Sequence, residues 1–179
     1  MAETGDVVLL ALHRHQVAAA DRAEIDAFAA TGEEVSYQVL REMPITEAAL
    51  KETLRLHPPL ILLLRVAKDS FTVEGVDVQE GQMVGASPWV SNRIEQSFRD
   101  ADRFDLDRYI EPRAEDLDNP WNWIPFGAGR HRCVGAAFAM MQLKAIFAVL
   151  LRDWELELAQ PAESYRPDMS KMVIQLQQP

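Results

Sequence analysis

Phe126-Gly127-Ala128-Gly129-Arg130-His131-Arg132-Cys133-Val134-Gly135 contains the chain's only cysteine, set between glycines and arginines. It runs into Ala136–Leu151, a stretch free of Gly and Pro in which Gln142 and Lys144 are the only polar positions. Residues of such high helix propensity predict one long helix. Because it is apolar nearly all round, the helix is expected to be buried on every side. Cys133 is then placed at the first turn of a core helix, where unpaired N–H groups and the positive end of the dipole favour an anion. A thiolate in such a place is a metal ligand or a nucleophile. Arg130, His131 and Arg132 add positive charge beside it, and Gly127, Gly129 and Gly135 leave room for something large and flat to approach the backbone.

Three mechanisms could use such a loop. A dinucleotide fingerprint needs G-x-G-x-x-G after a strand, but Arg132 stands where the third glycine belongs. Pro120 and Pro125 also bracket Trp121–Ile124 and leave no clear strand ahead of it. A thiolate phosphatase loop needs an arginine just after the cysteine, where this chain reads Val-Gly-Ala-Ala-Phe-Ala. A haem-thiolate loop needs a Phe, a glycine turn, a basic residue for a propionate, then Cys, then Gly at the helix start. All five are present. A buried cysteine acting as a small hydrophobe has no need of flanking arginines. Phe126–Gly135 resembles the haem-binding loop of the cytochrome P-450 family, the haem-thiolate monooxygenases.

Composition sets bounds around this reading. The 179 residues suffice for one core and about one domain, and 48% hydrophobic with 26% charged residues is ordinary for a globular protein. A net charge of −10 argues against nucleic acid as a partner. A single cysteine excludes an intrachain disulfide and gives no zinc-ligand set, which fits a cytoplasmic location. The N-terminus, Met-Ala-Glu-Thr-Gly-Asp, is acidic where a signal peptide would be basic. No apolar run approaches the ~20 residues of a membrane span.

In chain order, Asp6–Ala30 reads as helix, in two pieces meeting near His13-Arg14-His15, and Gly32 ends it. His13 and His15 lie two apart and cannot face one ligand from a helix. Ser36 caps a short helix through Glu42, and Pro44 starts another that runs to about Leu56. Within it, Glu52 and Arg55 share a face at a spacing of three. Leu60–Val66 is an apolar run of strand length. Phe71–Val78 alternates about Gly75 and reads as a hairpin, with Gln82–Ala86 as its expected neighbour. Residues 88–119 suit a meandering surface segment. Trp154–Leu158 and Lys171–Leu176 read as further strands. There are no internal repeats or linkers, so residues 1–179 are expected to form a single unit.

The resemblance extends along nearly the whole chain, from about Leu12. Lys51-Glu-Thr-Leu-Arg-Leu-His-Pro-Pro59 is similar to the family's conserved-core helix and its exit. There, by resemblance, Glu52 and Arg55 pair with a later arginine behind the haem loop. Phe104-Asp-Leu-Asp-Arg-Tyr109 makes that arginine Arg108, although Leu106 stands where proline is common. The implied fold is mainly α with small β-sheets (α+β), the incomplete C-terminal haem-binding part of the cytochrome P-450 fold, because family members are more than twice this length. The implied cofactor is haem b. Cys133 is its axial ligand, with Arg65 and His131 toward the propionates and Phe126 beside the sulfur. The amides of Val134 and Gly135 are expected to hold the sulfur's charge.

Leu60, Ile61, Leu62, Met172 and Val173 are implied to line the substrate side. The blocks Glu52–Leu60, Trp121–Ala139 and Tyr165–Leu176 further resemble bacterial-type sterol demethylases of this family. That implies a lipophilic sterol substrate and a ferredoxin or reductase as electron donor. No catalytic residue is expected within the chain: the family's proton-delivering threonine is not matched, and Thr4 is not given that role. The alternatives are a truncated, inactive fragment or a hydroxylase of a different lipophilic substrate. Lys144 is expected to join Arg130 and Arg132 on an exposed basic face around Cys133, which either receives the electron donor or is a solvated basic edge with no partner.

Overall fold

Proline and glycine punctuate the helices where the sequence places them. A computed structural model describes residues 14–32, 34–154, 160–161, 164–168, 170, 173 and 175–177. Helix α1 (Arg14–Thr31) ends at Gly32, which has φ +70°. Helix α2 (Tyr37–Arg41) starts at Ser36, whose Oγ accepts from the Val39 amide at 3.4 Å. Helix α3 (Pro44–Leu56) has proline in its first turn, and its N-cap residue Met43 makes no side-chain capping bond. The cap comes from another helix. The Glu24 carboxylate on α1 accepts from the Ile45 amide at 2.8 Å, the Thr46 amide at 2.9 Å and the Thr46 hydroxyl at 2.7 Å. A carboxylate there satisfies orphan donors and complements the helix dipole. Expectations placed on Asp6–His13, on residues 155–158 and on Met172 lie outside the described residues.

Strand β1 (Leu63–Val66) leaves α3 through buried Pro58. Strands β2 (Phe71–Val73) and β3 (Val76–Val78) form the expected hairpin, with Phe71 opposite Val78 and Val73 opposite Val76. Its two-residue turn, Glu74–Gly75, holds positive φ at both positions, matching the right-handed twist of the strands. The expectation that Gln82–Ala86 joins this hairpin is not met. Strand β4 (Met83–Ala86) pairs antiparallel with β1, Leu63 opposite Ala86 and Val66 opposite Met83. The Ala67 amide donates to the Gln82 carbonyl and the Gly81 amide to the Ala67 carbonyl, both at 2.9 Å, extending this pairing beyond the strands. The hairpin is thus an excursion from a second ladder. Strands β5 (Pro167–Asp168) and β6 (Gln175–Leu176) make a third two-stranded sheet.

Helix α4 (Pro88–Ser91) begins the stretch 88–119, which does meander but is not only surface. It supplies Phe98, Ala101 and Phe104 to the interior, and Phe104 packs with Ala49 and Leu56 of α3. Helix α5 (Ala136–Asp153) lies against α1, α2 and α3, with Ala148 joining Ile25, Leu40 and Met43 in the main apolar cluster. Burial on all sides is not what α5 shows. Lys144, Phe147 and Ala148 form a buried stripe, whereas Phe138 is 72% exposed and Ile146 and Val149 are also exposed. An all-apolar composition sets how much of a helix can be buried, not which faces its neighbours cover.

Lys144 is likewise not on an exposed basic face. Its Nζ donates to the Leu40 carbonyl at 2.9 Å and to Glu47 Oε2 at 2.6 Å. Leu40 lies in the last turn of α2, where carbonyls lack helical partners, so a buried ammonium finds an acceptor ready there.

The centre of the scaffold is Glu52, fully buried on α3. Arg55 donates to it through Nε at 2.7 Å and Nη2 at 2.9 Å, and Arg108 through Nε at 3.1 Å. Arg108 sits on a 3-10 turn, Leu106–Tyr109. The Tyr109 hydroxyl adds a bond at 2.8 Å and the Asp105 amide one at 2.9 Å. The remaining guanidinium donors go to carbonyls of the meander. Arg55 Nη1 reaches Asn92 and Ala101, Arg108 Nη2 reaches Asp100 and Arg103, and Arg108 Nη1 bonds Arg99. Glu115 accepts from Arg108 Nη1 at 2.9 Å, so two carboxylates balance two guanidinium groups. Burial and the charge of Glu52 together hold the Tyr109 phenol well above its usual range, so it stays a donor.

Removing one member of a buried charge cluster strands the others at a cost of about 3–5 kcal/mol. That is a large part of a typical stability of about 5–15 kcal/mol. Glu52→Ala is expected to lower the urea midpoint by a corresponding amount or to abolish cooperative unfolding. A midpoint within error of the parent chain would contradict the role given to Glu52.

Two further carboxylates make stability depend on pH. Burial pushes Glu47 up from its ordinary 4.5, but the hydrogen bond to Lys144 and the charges of Lys144 and Lys51 outweigh it and hold the group below that value. Burial likewise raises Asp105 from 3.8, and the bond to Arg113 at 2.8 Å, with the charges of Arg113 and Arg108, outweighs it. Folded values below the unfolded ones give stability that is complete above the ordinary carboxylate range. It is lost as pH falls through that range to the lower folded values. The melting temperature should therefore fall on acidification below the ordinary values of Glu47 and Asp105, and fall less steeply in Asp105→Asn.

Candidate functional site

Behind Cys133 the backbone is fixed before the glycines begin. Ser97 Oγ donates to Asn122 Oδ1 at 3.1 Å, Trp123 Nε1 donates to the Lys51 carbonyl at 3.1 Å, and the Ile124 amide donates to Asn92 Oδ1 at 3.3 Å. The ring of Phe126 packs tilted against that of Trp123, with centroids 6.0 Å apart. The chain then reverses. The Gly127 amide returns to the Ile124 carbonyl at 2.9 Å, and Gly127 and Gly129 take φ of +73° and +65°, which a side chain would resist. Residues Gly129–His131 form a single 3-10 turn, closed by the Arg132 amide on the Gly129 carbonyl at 3.2 Å. The Cys133 amide bonds the Phe126 carbonyl at 2.9 Å and closes the whole loop.

Cys133 does not lie in the first helical turn. Gly135 is the N-cap of α5, two residues further on, and the Ala136 amide reaches back to the Cys133 carbonyl at 3.4 Å. The turn that frees the sulfur ends before helical geometry begins, and for that reason the thiol is exposed. A Cβ at Gly135 would stand 3.8 Å from Sγ, so a glycine there leaves that side of the sulfur open. Val134 is fully exposed, and Arg130, His131 and Arg132 are exposed too.

Of the other expected site residues, the structure brings some near and leaves others apart. Leu63 at the start of β1 lies against the glycine turn, its Cδ1 3.8 Å from where a Gly127 Cβ would stand. Arg65, two residues along β1, is exposed and donates from Nη1 to the Leu64 carbonyl at 2.7 Å. Leu60 forms an antiparallel bridge with Val173. The Ile61 carbonyl accepts from Ser87 Oγ at 2.7 Å, and Leu62 is exposed. The sequence reading did not single out Asn92, Trp123 or Tyr109, which tie the loop and the scaffold together. Tyr109 directly follows Arg108, and that adjacency is the signal that could have marked it. A lone Asn carries none.

The donor set decides what the loop can hold. Among the described residues no group of three or more His, Cys, Asp or Glu side chains could hold a metal ion. A lone thiolate can hold iron only when the other ligands arrive with the metal, as they do in a macrocycle. The exposed sulfur, the glycines around it and the basic neighbours available to carboxylates fit haem on these grounds. Also among the described residues, no helix is long and apolar enough to cross a membrane.

The comparisons bear on the same residues. The chain is 59% identical over 177 residues to the sterol 14alpha-demethylase of Mycolicibacterium vanbaalenii, which covers 98% of this chain and 39% of that protein. It is 39% identical over 149 residues to the sterol 14-demethylase of Arabidopsis thaliana, covering 80% of this chain and 30% of that one. With the lanosterol 14-alpha demethylase of Bos taurus it shares 38% identity over 124 residues, 69% of this chain and 24% of the other. The chain thus spans well under half the length of these relatives. A family model described as Cytochrome P450 matches from residue 2 to residue 179 and so takes in loop and scaffold alike: the chain belongs to the cytochrome P450 family.

Proposed function

We propose that residues 1–179 are the haem-binding portion of a haem-thiolate monooxygenase, and that the whole enzyme is a sterol 14-alpha-demethylase. The observation that carries the first part is the exposed thiol of Cys133 on a loop whose backbone is fixed on both sides. The second part is supported by the printed names of relatives at 38–59% identity. The cofactor is haem b, which when bound supplies the redox chemistry that puts an oxygen atom from dioxygen into the substrate. Cys133 is its one protein ligand. Arg65 and His131 meet the propionates, Phe126 shields the sulfur, and the glycines let the ring approach the backbone. Proton delivery is assigned to no residue of this chain.

Leu60, Ile61, Leu62, Met172 and Val173 offer a sterol an apolar wall. The Leu60–Val173 bridge supports this reading because it brings the two ends of that wall together. A ferredoxin or reductase supplies electrons from the cysteine side, steered by Arg130 and Arg132. A second reading, a chain that holds no haem by itself, is favoured by the exposure of Phe138 and Val134 beside the loop.

Expression of the chain with haem, followed by a carbon monoxide difference spectrum of the reduced protein, separates the two. The thiolate band should appear in the parent and vanish in Cys133→Ser. A band that survives the substitution overturns the ligand assignment, and no band in either protein supports the second reading.

In the complete enzyme, exchanging Arg130 and Arg132 for Glu should slow reduction by an acidic donor at low salt and flatten its salt dependence. Unchanged rates at every ionic strength would remove both arginines from the docking surface.

A further inference from the structure

We infer that Asn92 is a positioning residue for Cys133, coupling the buried charge cluster to the loop that presents the sulfur; its importance for haem ligation rests on the reading above. Asn92 follows α4 and is fully buried. Its side chain joins two segments that are otherwise far apart in sequence. Nδ2 donates to the Arg55 carbonyl at 3.3 Å, and Oδ1 accepts from the Ile124 amide at 3.3 Å. Its own carbonyl accepts from Arg55 Nη1 at 2.7 Å, so Asn92 and Arg55 are bonded in both directions.

From Ile124 the path continues into the loop. The Ile124 carbonyl accepts from Gly127 at 2.9 Å, and the Phe126 carbonyl between them accepts from Cys133 at 2.9 Å. Position, burial and bonding therefore run without a break from Glu52 through Arg55 and Asn92 to the backbone on which the thiol is mounted. A carboxamide suits this place because it offers a donor and an acceptor on one small rigid plane. An alanine leaves both a carbonyl and an amide buried without partners, and the backbone must shift to satisfy them.

Amide hydrogen exchange on the full chain without haem, followed residue by residue by NMR, tests this directly. In the parent chain the Ile124 amide should be protected; free exchange there overturns the proposal without any variant. In Asn92→Ala the Gly127 and Cys133 amides should exchange roughly tenfold faster relative to the Leu54 amide of α3, the size expected when a local hydrogen-bonded unit opens more often than the core. Loop and core amides that speed up together would mean a structural role only and overturn it. Asn92→Asp keeps an oxygen for the Ile124 amide but sets its second oxygen against the Arg55 carbonyl in place of a donor, so the loop amides should again speed up relative to the Leu54 amide. Loop protection equal to that of the parent in this variant overturns the proposal.

A control, Ser97→Ala, removes a neighbouring tie and should leave both loop amides unchanged; acceleration equal to that of Asn92→Ala would contradict a special role for Asn92. In haem-loaded protein, Asn92→Ala should retain haem while losing part of the thiolate band. Absence of that band from the parent as well would count against the haem reading alone, because the exchange data decide Asn92 without it.

Discussion

One carboxylate, that of Glu52, accepts five hydrogen bonds from two guanidinium groups, a phenol and a backbone amide. A buried carboxylate in this environment is tolerable only when every lone pair is used. Satisfying it imposes an arrangement on everything near it. Helix α3 must present Glu52 and Arg55 on one face, the 3-10 turn must present Arg108 and Tyr109, and the meander must turn its carbonyls inward. Hydrophobic burial alone would allow α3 and the meander to slide against each other. Fixed guanidinium forks do not, because their donors match acceptors at only one register.

The cysteine loop is held by a different kind of force. Its own bonds are neutral and mostly main-chain, and its shape comes from glycines at positive φ. The loop is a short arch of main-chain bonds, tied to the charge cluster through Asn92. Charge-assisted bonds thus hold the scaffold, and neutral ones shape the loop that presents the sulfur.

How much of this was legible in the sequence depends on the range of the interactions. The caps at Ser36 and Gly32, the proline start of α3, the hairpin about Gly75 and the glycine loop are local, and the residues that make them are neighbours in the chain. The resemblance of short motifs located Glu52, Arg55, Arg108 and Cys133, and the geometry brings the first three together. What was not legible is tertiary. Glu24 caps a helix 21 residues away, Lys144 is buried against a carbonyl 104 residues distant, and β4 leaves the hairpin beside it for β1. Composition told how apolar α5 is, but not which of its faces would find neighbours.

The cap that Glu24 places on α3 also bears on the order in which the chain can assemble. Loop-closure entropy rises by only about 0.6 kcal/mol for each doubling of loop length. The contact from Glu24 to Ile45 spans 21 residues, that from Glu52 to Arg108 spans 56, and that from Lys144 to Leu40 spans 104. The first step is about 1.4 doublings and the second about 0.9, so each longer closure costs less than about 1 kcal/mol more than the one before it. The short α1–α3 closure is the least costly and fixes the start of the helix that carries Glu52. The Glu52–Arg108 closure then joins a helix whose start is already held. A half-buried carboxylate on α1 thus fixes the start of the helix that carries Glu52 and Arg55.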